Sequence, residues 1–262
     1  IMGKSTFKQM LSSLKQAIAN VSTPNTSINM PKELKSGSNY LKDEDYTFDK
    51  QFFDLVDASK PIKLVLSKAN KGAFYSPSEK AVHLFDAERN AKSRWHAKSV
   101  VYHEFGHGID WQRNLSHAKE VADMRNEQIK RLKKQGNYNV WSRRYDYDKQ
   151  RYVNEKTTRK MSLVAYIDHR LQELSSKVWG MKTETFTRRG ITKMDVIEQI
   201  CSTRDTIKSL VISYGDGHST AYFRRPGMSE AEYLAHAFEN AFIGNVVFKK
   251  YMPDIYNEMV AF

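Results

Sequence analysis

The stretch Val100-Val101-Tyr102-His103-Glu104-Phe105-Gly106-His107-Gly108-Ile109-Asp110 has the residue types of a metal site. His103 and His107 are four apart, so on a helix both imidazoles face one side and Glu104 projects beside them. Neutral imidazoles suit zinc, which keeps a place for water when three ligands come from the protein and pulls that water's pKa towards neutrality. A carboxylate next to the first histidine is then placed to take the proton. Trp95, Val100, Val101 and Ile109 continue apolar positions at helical spacing, which makes this a buried helix whose polar groups need partners. Two histidines leave zinc one protein ligand short, so a later His, Asp or Glu must be returned by the fold.

The run 229–242, SEAEYLAHAFENAF, is the strongest source of that ligand. Tyr233, Ala237 and Phe238 give it a core face, and Ser229 with Glu232 has the spacing of a capping box. Glu232, His236 and Glu239 share another side. Such a triple is either a solvated stripe or a metal ligand with its supporting groups, and the HExxH run tips the balance to the metal site. Asp110, one turn after His107, and Glu239 are read as acceptors that orient ligand groups, or equally as capping or surface residues.

Positioning these groups takes a sizeable fold. The chain has 262 residues, 40% of them hydrophobic, enough for one large domain or a domain with an appendage. Segment 7–21 patterns as an amphipathic helix, and 22–45 contains Pro24 and Pro31 and reads as a linker, so residues 1–45 form an expected arm before a domain at 46–262. Phe52, Phe53 and Val56 suggest a short helix, 62–67 a strand, and 72–75 with 81–85 a hairpin around Ser76-Pro77-Ser78. That hairpin is expected beside the metal helix, with a free edge on which an extended peptide could pair. Segments 116–134, 160–179 and 194–210 pattern as helices. The expected class is α+β, predominantly helical, with a small mixed β-sheet and the HExxH helix.

No stretch approaches the roughly eighteen apolar residues of a membrane span, and the amino end lacks the apolar core of a secretory signal. The expected location is cytoplasmic or virion-associated, and Ile1 before Met2 is read either as a piece of a longer polypeptide or as a remnant residue. A lone Cys201 excludes an internal disulfide and sits in a helical pattern with Val196, Ile197, Ile200 and Ile207 that predicts a small core residue. The net charge of +12 draws heavily on Arg143, Arg144, Lys149, Arg151, Lys156, Arg159 and Lys160, interleaved with Tyr138, Trp141, Tyr145, Tyr147 and Tyr152. A single-stranded nucleic-acid groove uses such groups, but Asp146, Asp148 and Glu155 interrupt the run. The favoured reading is therefore a solvated helical hairpin in a basic helical insert at about 116–190, serving as a lid or docking surface.

HEFGHGID followed far downstream by EAEYLAHAF resembles the anthrax lethal factor family of gluzincin metallopeptidases. The segment Ser213-Tyr214-Gly215-Asp216-Gly217-His218-Ser219-Thr220-Ala221-Tyr222 is similar to the one before the glutamate helix in the zincin-like domains of phage minor head (head morphogenesis) proteins. The likeness spans 62–113 and 210–262 and is absent from the central insert. It implies a zincin-like fold, a Zn2+ ion on His103, His107 and Glu232, and Glu104 as the general base. Peptide hydrolysis would then proceed by direct attack of water, without an acyl-enzyme. It also implies an oxyanion donor, for which Tyr214, His218 and Tyr222 are the candidates: Tyr214 has the matching Ser-Tyr-Gly context, while Tyr222 is nearer Glu232. The implied function is a zinc-dependent endopeptidase acting on a protein or peptide, phage head-associated or toxin-like, with phage head or portal proteins as partners. Nucleic acid is the disfavoured partner, and no membrane is expected. The alternative is a non-catalytic zincin-fold structural or interaction protein of a virion.

Overall fold

Short runs rich in aliphatic and aromatic residues build the first sheet. In the computed structural model, which describes residues 52, 54–57, 59–67, 72–85, 93–187 and 191–261, its strands are β1 (Lys63–Ser67), β2 (Phe74–Ser76) and β3 (Ala81–Phe85). Their order is β1-β3-β2. β1 runs parallel to β3, with Lys63 opposite Ala81, and β2 runs antiparallel, with Phe74 opposite His83. The sheet is therefore mixed, as its sequence suggested, and β3 is central, with Ala81, Val82, Leu84 and Phe85 buried. Phe52 lies in a helical turn ahead of the sheet; Phe53, the arm at 7–21 and the linker at 22–45 fall outside the described residues.

Then follow α1 (Arg94–Arg113), a short 3-10 turn (Leu115–His117) and α2 (Lys119–Lys133). A two-stranded sheet comes next, β4 (Gln135–Asp146) and β5 (Arg151–Ser162), leading into α3 (Leu163–Gly180). The remainder is helical: α4 (Glu184–Thr187), α5 (Lys193–Leu210), α6 (Thr220–Phe223), α7 (Met228–Phe242), α8 (Val246–Tyr251) and α9 (Pro253–Met259). The class is α+β with helices predominant. Among the described residues no helix is long and apolar enough to cross a membrane.

Segment 135–162 corrects the helical reading of the insert. Tyr138, Val140, Trp141, Tyr145, Tyr152, Val153, Thr157 and Thr158 are aromatic or β-branched, and they dominate a stretch whose charges had suggested a solvated helix. Gln135 pairs with Ser162 and Asp146 with Arg151 across an unbroken antiparallel ladder. Gln150 takes the left-handed turn position at φ 49°, and Asp146 Oδ1 accepts from the Lys149 amide at 3.1 Å, closing the turn.

Two close approaches seat α1. An added Cβ on Gly106 would lie 3.0 Å from Phe238 Cδ2 on α7, and one on Gly108 would lie 2.5 Å from Ile62 Cδ1 and 3.1 Å from Tyr75 Cε2. The two glycines let the helix press on α7 on one side and on residues flanking and within the sheet on the other. Val101, Tyr102, Phe105 and Ile109 fill the interface, and the Phe52 ring meets Tyr102 edge-on at 4.8 Å. Asp195 at the start of α5 fixes the other end of α1: its Oδ1 accepts from Ser93 Oγ at 2.8 Å and from the Trp95 amide at 3.2 Å. α7 is tied from α2, where Arg125 donates to Glu230 at 2.9 Å and Gln128 Oε1 accepts from the buried Tyr233 hydroxyl at 2.9 Å.

Candidate metal centre

α1 and α7 pack face to face, and their polar positions meet inside that contact. His103 Nε2 lies 3.1 Å from Glu232 Oε2, and His107 Nε2 lies 3.4 Å from Glu232 Oε1. Bonds of 2.0–2.1 Å at tetrahedral angles set ligand atoms roughly 3.3 Å apart, and each histidine lies at about that distance from a different oxygen of Glu232. All three donor atoms lie within 4.8 Å of one another. Glu232 is 1% exposed, which is tolerable for a carboxylate only with cationic or metal partners.

The surrounding groups hold these donors in orientation. Glu239 Oε2 sits 3.4 Å from His103 Nδ1, on the ring edge opposite Glu232, and 3.3 Å from His236 Nδ1. Its other oxygen accepts from Ser202 Oγ. Asp205 on α5 lies 3.3 Å from His236 Nε2 and 3.3 Å from His218 Nδ1. Gly217 makes the second contact reachable: at φ 105°, an added Cβ would fall 2.1 Å from Asp205 Oδ1, so only glycine brings His218 in. The His218 ring stacks on Tyr222 at 4.4 Å, and the Tyr222 hydroxyl donates to Glu232 Oε1 at 2.6 Å.

Electrostatics follow from this nest of alternating signs. Burial would lower the His103 pKa, but Glu232 and Glu239 outweigh it and raise it well above its ordinary value. Burial would raise Glu232, but His107 and His103 hold it well below the carboxylate range. Opposed in the same way by burial, Asp205 and Glu239 lift His236 to about 9, while the histidines lower Glu239 to about 2 and pull Asp205 down. Asp205 raises His218 against burial, and burial together with Glu232 raises Tyr222. These histidine and carboxylate pairs hold protons where a divalent cation would replace them, so the donor set fits a zinc ion.

Glu104 differs from its neighbours. It is buried, yet among the described residues it makes no hydrogen bond or ion pair. Its carboxylate oxygens are not among the buried side-chain atoms left without a partner, so they reach solvent beside His103.

No family model, curated protein or solved structure matches this chain. Its chemistry therefore rests on its own geometry.

Of the sequence candidates, His103, His107, Glu232, His218 and Tyr222 are brought together, with Glu104 beside His103 on α1. Tyr214 is not: its ring packs against the hydrophobic core and it makes none of the centre's hydrogen bonds. Asp110 also stays apart, its carboxylate accepting from the Ser116 amide at 2.7 Å to close the turn after α1. The expected capping box at Ser229 does not form. Gly227 occupies the cap, Ser229 Oγ donates to the Phe223 carbonyl, and Glu232 turns to the histidines instead. Cys201 is exposed on α5 rather than in the core. Sequence reading missed Asp205 and Ser202. Their signal was a polar stripe on α5, Ser202, Asp205, Thr206 and Ser209, recurring at helical spacing beside the apolar one.

Two other groupings also fall within metal-binding reach, His103 with His236 and Glu239, and Asp205 with Glu232 and His236. Their residues are all buried, whereas His107 is partly exposed. A catalytic zinc needs a position open to water, and of the three sets among the described residues the one with His107 includes a residue that is not buried.

Proposed function

We propose that this chain is a zinc-dependent endopeptidase of the gluzincin type, with a zincin-like arrangement of a mixed sheet and two ligand-bearing helices. The observation that carries this reading is the convergence of His103, His107 and Glu232, with donor atoms within 4.8 Å of one another, beside a Glu104 that makes no hydrogen bond or ion pair among the described residues. A zinc ion held there would supply Lewis acidity and lower the pKa of water in the fourth position. Glu104 takes the proton of the attacking water and returns it to the leaving amine. His218, held through Nδ1 by Asp205, offers Nε2 to the developing carbonyl oxyanion, and Tyr222 steadies Glu232 while its ring backs His218. An extended peptide pairs along β2, whose Tyr75 packs beside Gly108 of α1.

Metal analysis of the purified chain combined with a peptide-library cleavage assay tests the reading. The expected result is one zinc per chain and cleavage that Glu104→Gln abolishes, by about 10²-fold or more, while the zinc is retained. Absence of cleavage by the zinc-loaded chain, or undiminished cleavage by the glutamine variant, would overturn it. A purely structural module has no use for the unengaged carboxylate, so the same variant separates the two readings.

A further inference from the structure

Apart from the buried Val140, the β4–β5 ribbon lies outside the core and the candidate metal centre. Strand alternation sends Trp141, Arg143 and Tyr145 to one face, and their cross-ladder partners Lys156, Asn154 and Tyr152 share it. Lys160, opposite Asn137, extends this face towards the base of the ribbon. Arg143 lies over the Tyr152 ring at 4.5 Å, and Tyr152 meets Tyr145 edge-on at 5.1 Å. Trp141 is 50% exposed and Tyr152 58%.

The other face carries the acids and the packing. Glu155 takes Arg144 at 2.9 Å, Asp146 takes Lys149 at 3.0 Å, Val140 is buried, and Tyr138 stacks on Tyr166 of α3 at 4.5 Å. No Asp or Glu occupies a strand position on the face bearing Trp141. Along the sequence the acids seemed to dilute the basic run; in the folded ribbon Asp146 and Glu155 lie with Arg144, Arg151 and Arg159, away from Arg143, Lys156 and Lys160. A merely solvated ribbon places opposite charges across from each other and does not display large rings. Trp141 also borders an open cleft of about 760 Å³, where Lys177, Lys250 and Tyr251 stand beside Glu173, which pairs with Arg170.

We propose that this face binds single-stranded nucleic acid, with Arg143, Lys156 and Lys160 meeting phosphates and Trp141, Tyr145 and Tyr152 stacking on unpaired bases. The rings decide the class of partner. A duplex or an acidic protein would use the cations alone, whereas unpaired bases use both. Trp141 and Tyr145 are four residues apart on one strand, roughly 13 Å at 3.3 Å per residue, far enough to hold different bases.

Fluorescence anisotropy of the full chain with a labelled oligothymidylate of about 20 nucleotides tests the proposal. Three phosphate contacts give a salt slope of about 2 on logarithmic axes, so raising salt from about 50 to 200 mM should weaken binding roughly 20-fold. Trp141→Ala and Tyr152→Ala should each weaken it about 5- to 150-fold, and Lys156→Gln should flatten the salt slope. Arg144→Ala, on the opposite face and paired with Glu155, should change affinity by less than about 3-fold. Thermal melts of all variants, with Lys156→Gln as the mildest change, control for folding. No binding at low salt and about 10 µM protein would overturn the proposal. So would unaltered binding by the two ring variants, or a duplex or a polyglutamate peptide competing as well as the oligonucleotide.

Discussion

Exchanging Glu239 for Gln separates the two metal-binding groupings that share His103. In the assignment made above Glu239 is not a ligand. Its carboxylate faces His103 Nδ1 at 3.4 Å, while Nε2 faces the centre shared with His107 and Glu232. Glu239→Gln keeps the shape and removes the charge that orients and polarises the ring. Losses of that kind cost roughly 10- to 100-fold in metal affinity, about 1.4–2.7 kcal/mol. Removing a ligand costs more. Structural zinc sites bind with about 10–16 kcal/mol, or about 2.5–4 kcal/mol for each of four ligands, so His107→Ala should lose roughly 70- to 900-fold. Competition against a chromophoric chelator at one fixed pH measures both, with circular dichroism confirming the fold. If His107→Ala binds zinc within about 3-fold of the parent while Glu239→Gln loses several hundredfold, the ion sits among His103, His236 and Glu239, and the reasoning fails.

Gly106→Ala should destabilise the fold by about 1–3 kcal/mol, because its Cβ would press on buried Phe238; an unchanged melting temperature would show that the α1–α7 contact yields. Asp195 is held below the usual carboxylate range, since its hydrogen bonds from Thr192, Ser93 and Trp95 outweigh burial. It therefore contributes stability above the unfolded pKa near ~3.9 that is lost as pH falls through the lower folded value. Asp195→Asn should lower the melting temperature at neutral pH and converge on the parent in acid, and a gap independent of pH would refute this. In the cleavage assay Tyr214→Phe should leave kcat within about 2-fold, whereas His218→Gln should lower it about 10²- to 10³-fold with KM little changed; the reverse ranking would restore Tyr214 to the site.

Much of the centre is legible in the chain because helical periodicity is local. The spacing of four between His103 and His107, the apolar positions around them, and the shared side of Glu232, His236 and Glu239 follow from 3.6 residues per turn, and α1 and α7 form as that spacing predicts. The strand at 62–67 and the hairpin after it were legible for the same reason, from short apolar runs around a turn, but the parallel pairing of β1 with β3 that makes the sheet mixed is not local. The ribbon shows where charge misleads. Its solvated faces can be read with period 2 or 3.6, and only the aromatic and β-branched content marked the strand.

What tertiary structure alone decided is which distant groups meet. Glu232 faces His103 across 129 residues of chain, and Glu239 reaches the opposite edge of the same ring. No local spacing distinguishes their two roles. Tyr222 was separated from Tyr214 only when α6 set one hydroxyl against Glu232 and the core took the other ring. Asp205 joined the centre only because α5 packs beside α7 and Gly217 leaves room for His218. The sequence by itself determined the helices and the donors they carry; the docking of α1, α5 and α7 determined which donors share a centre, because metal geometry depends on separations of a few ångströms that only side-chain packing fixes.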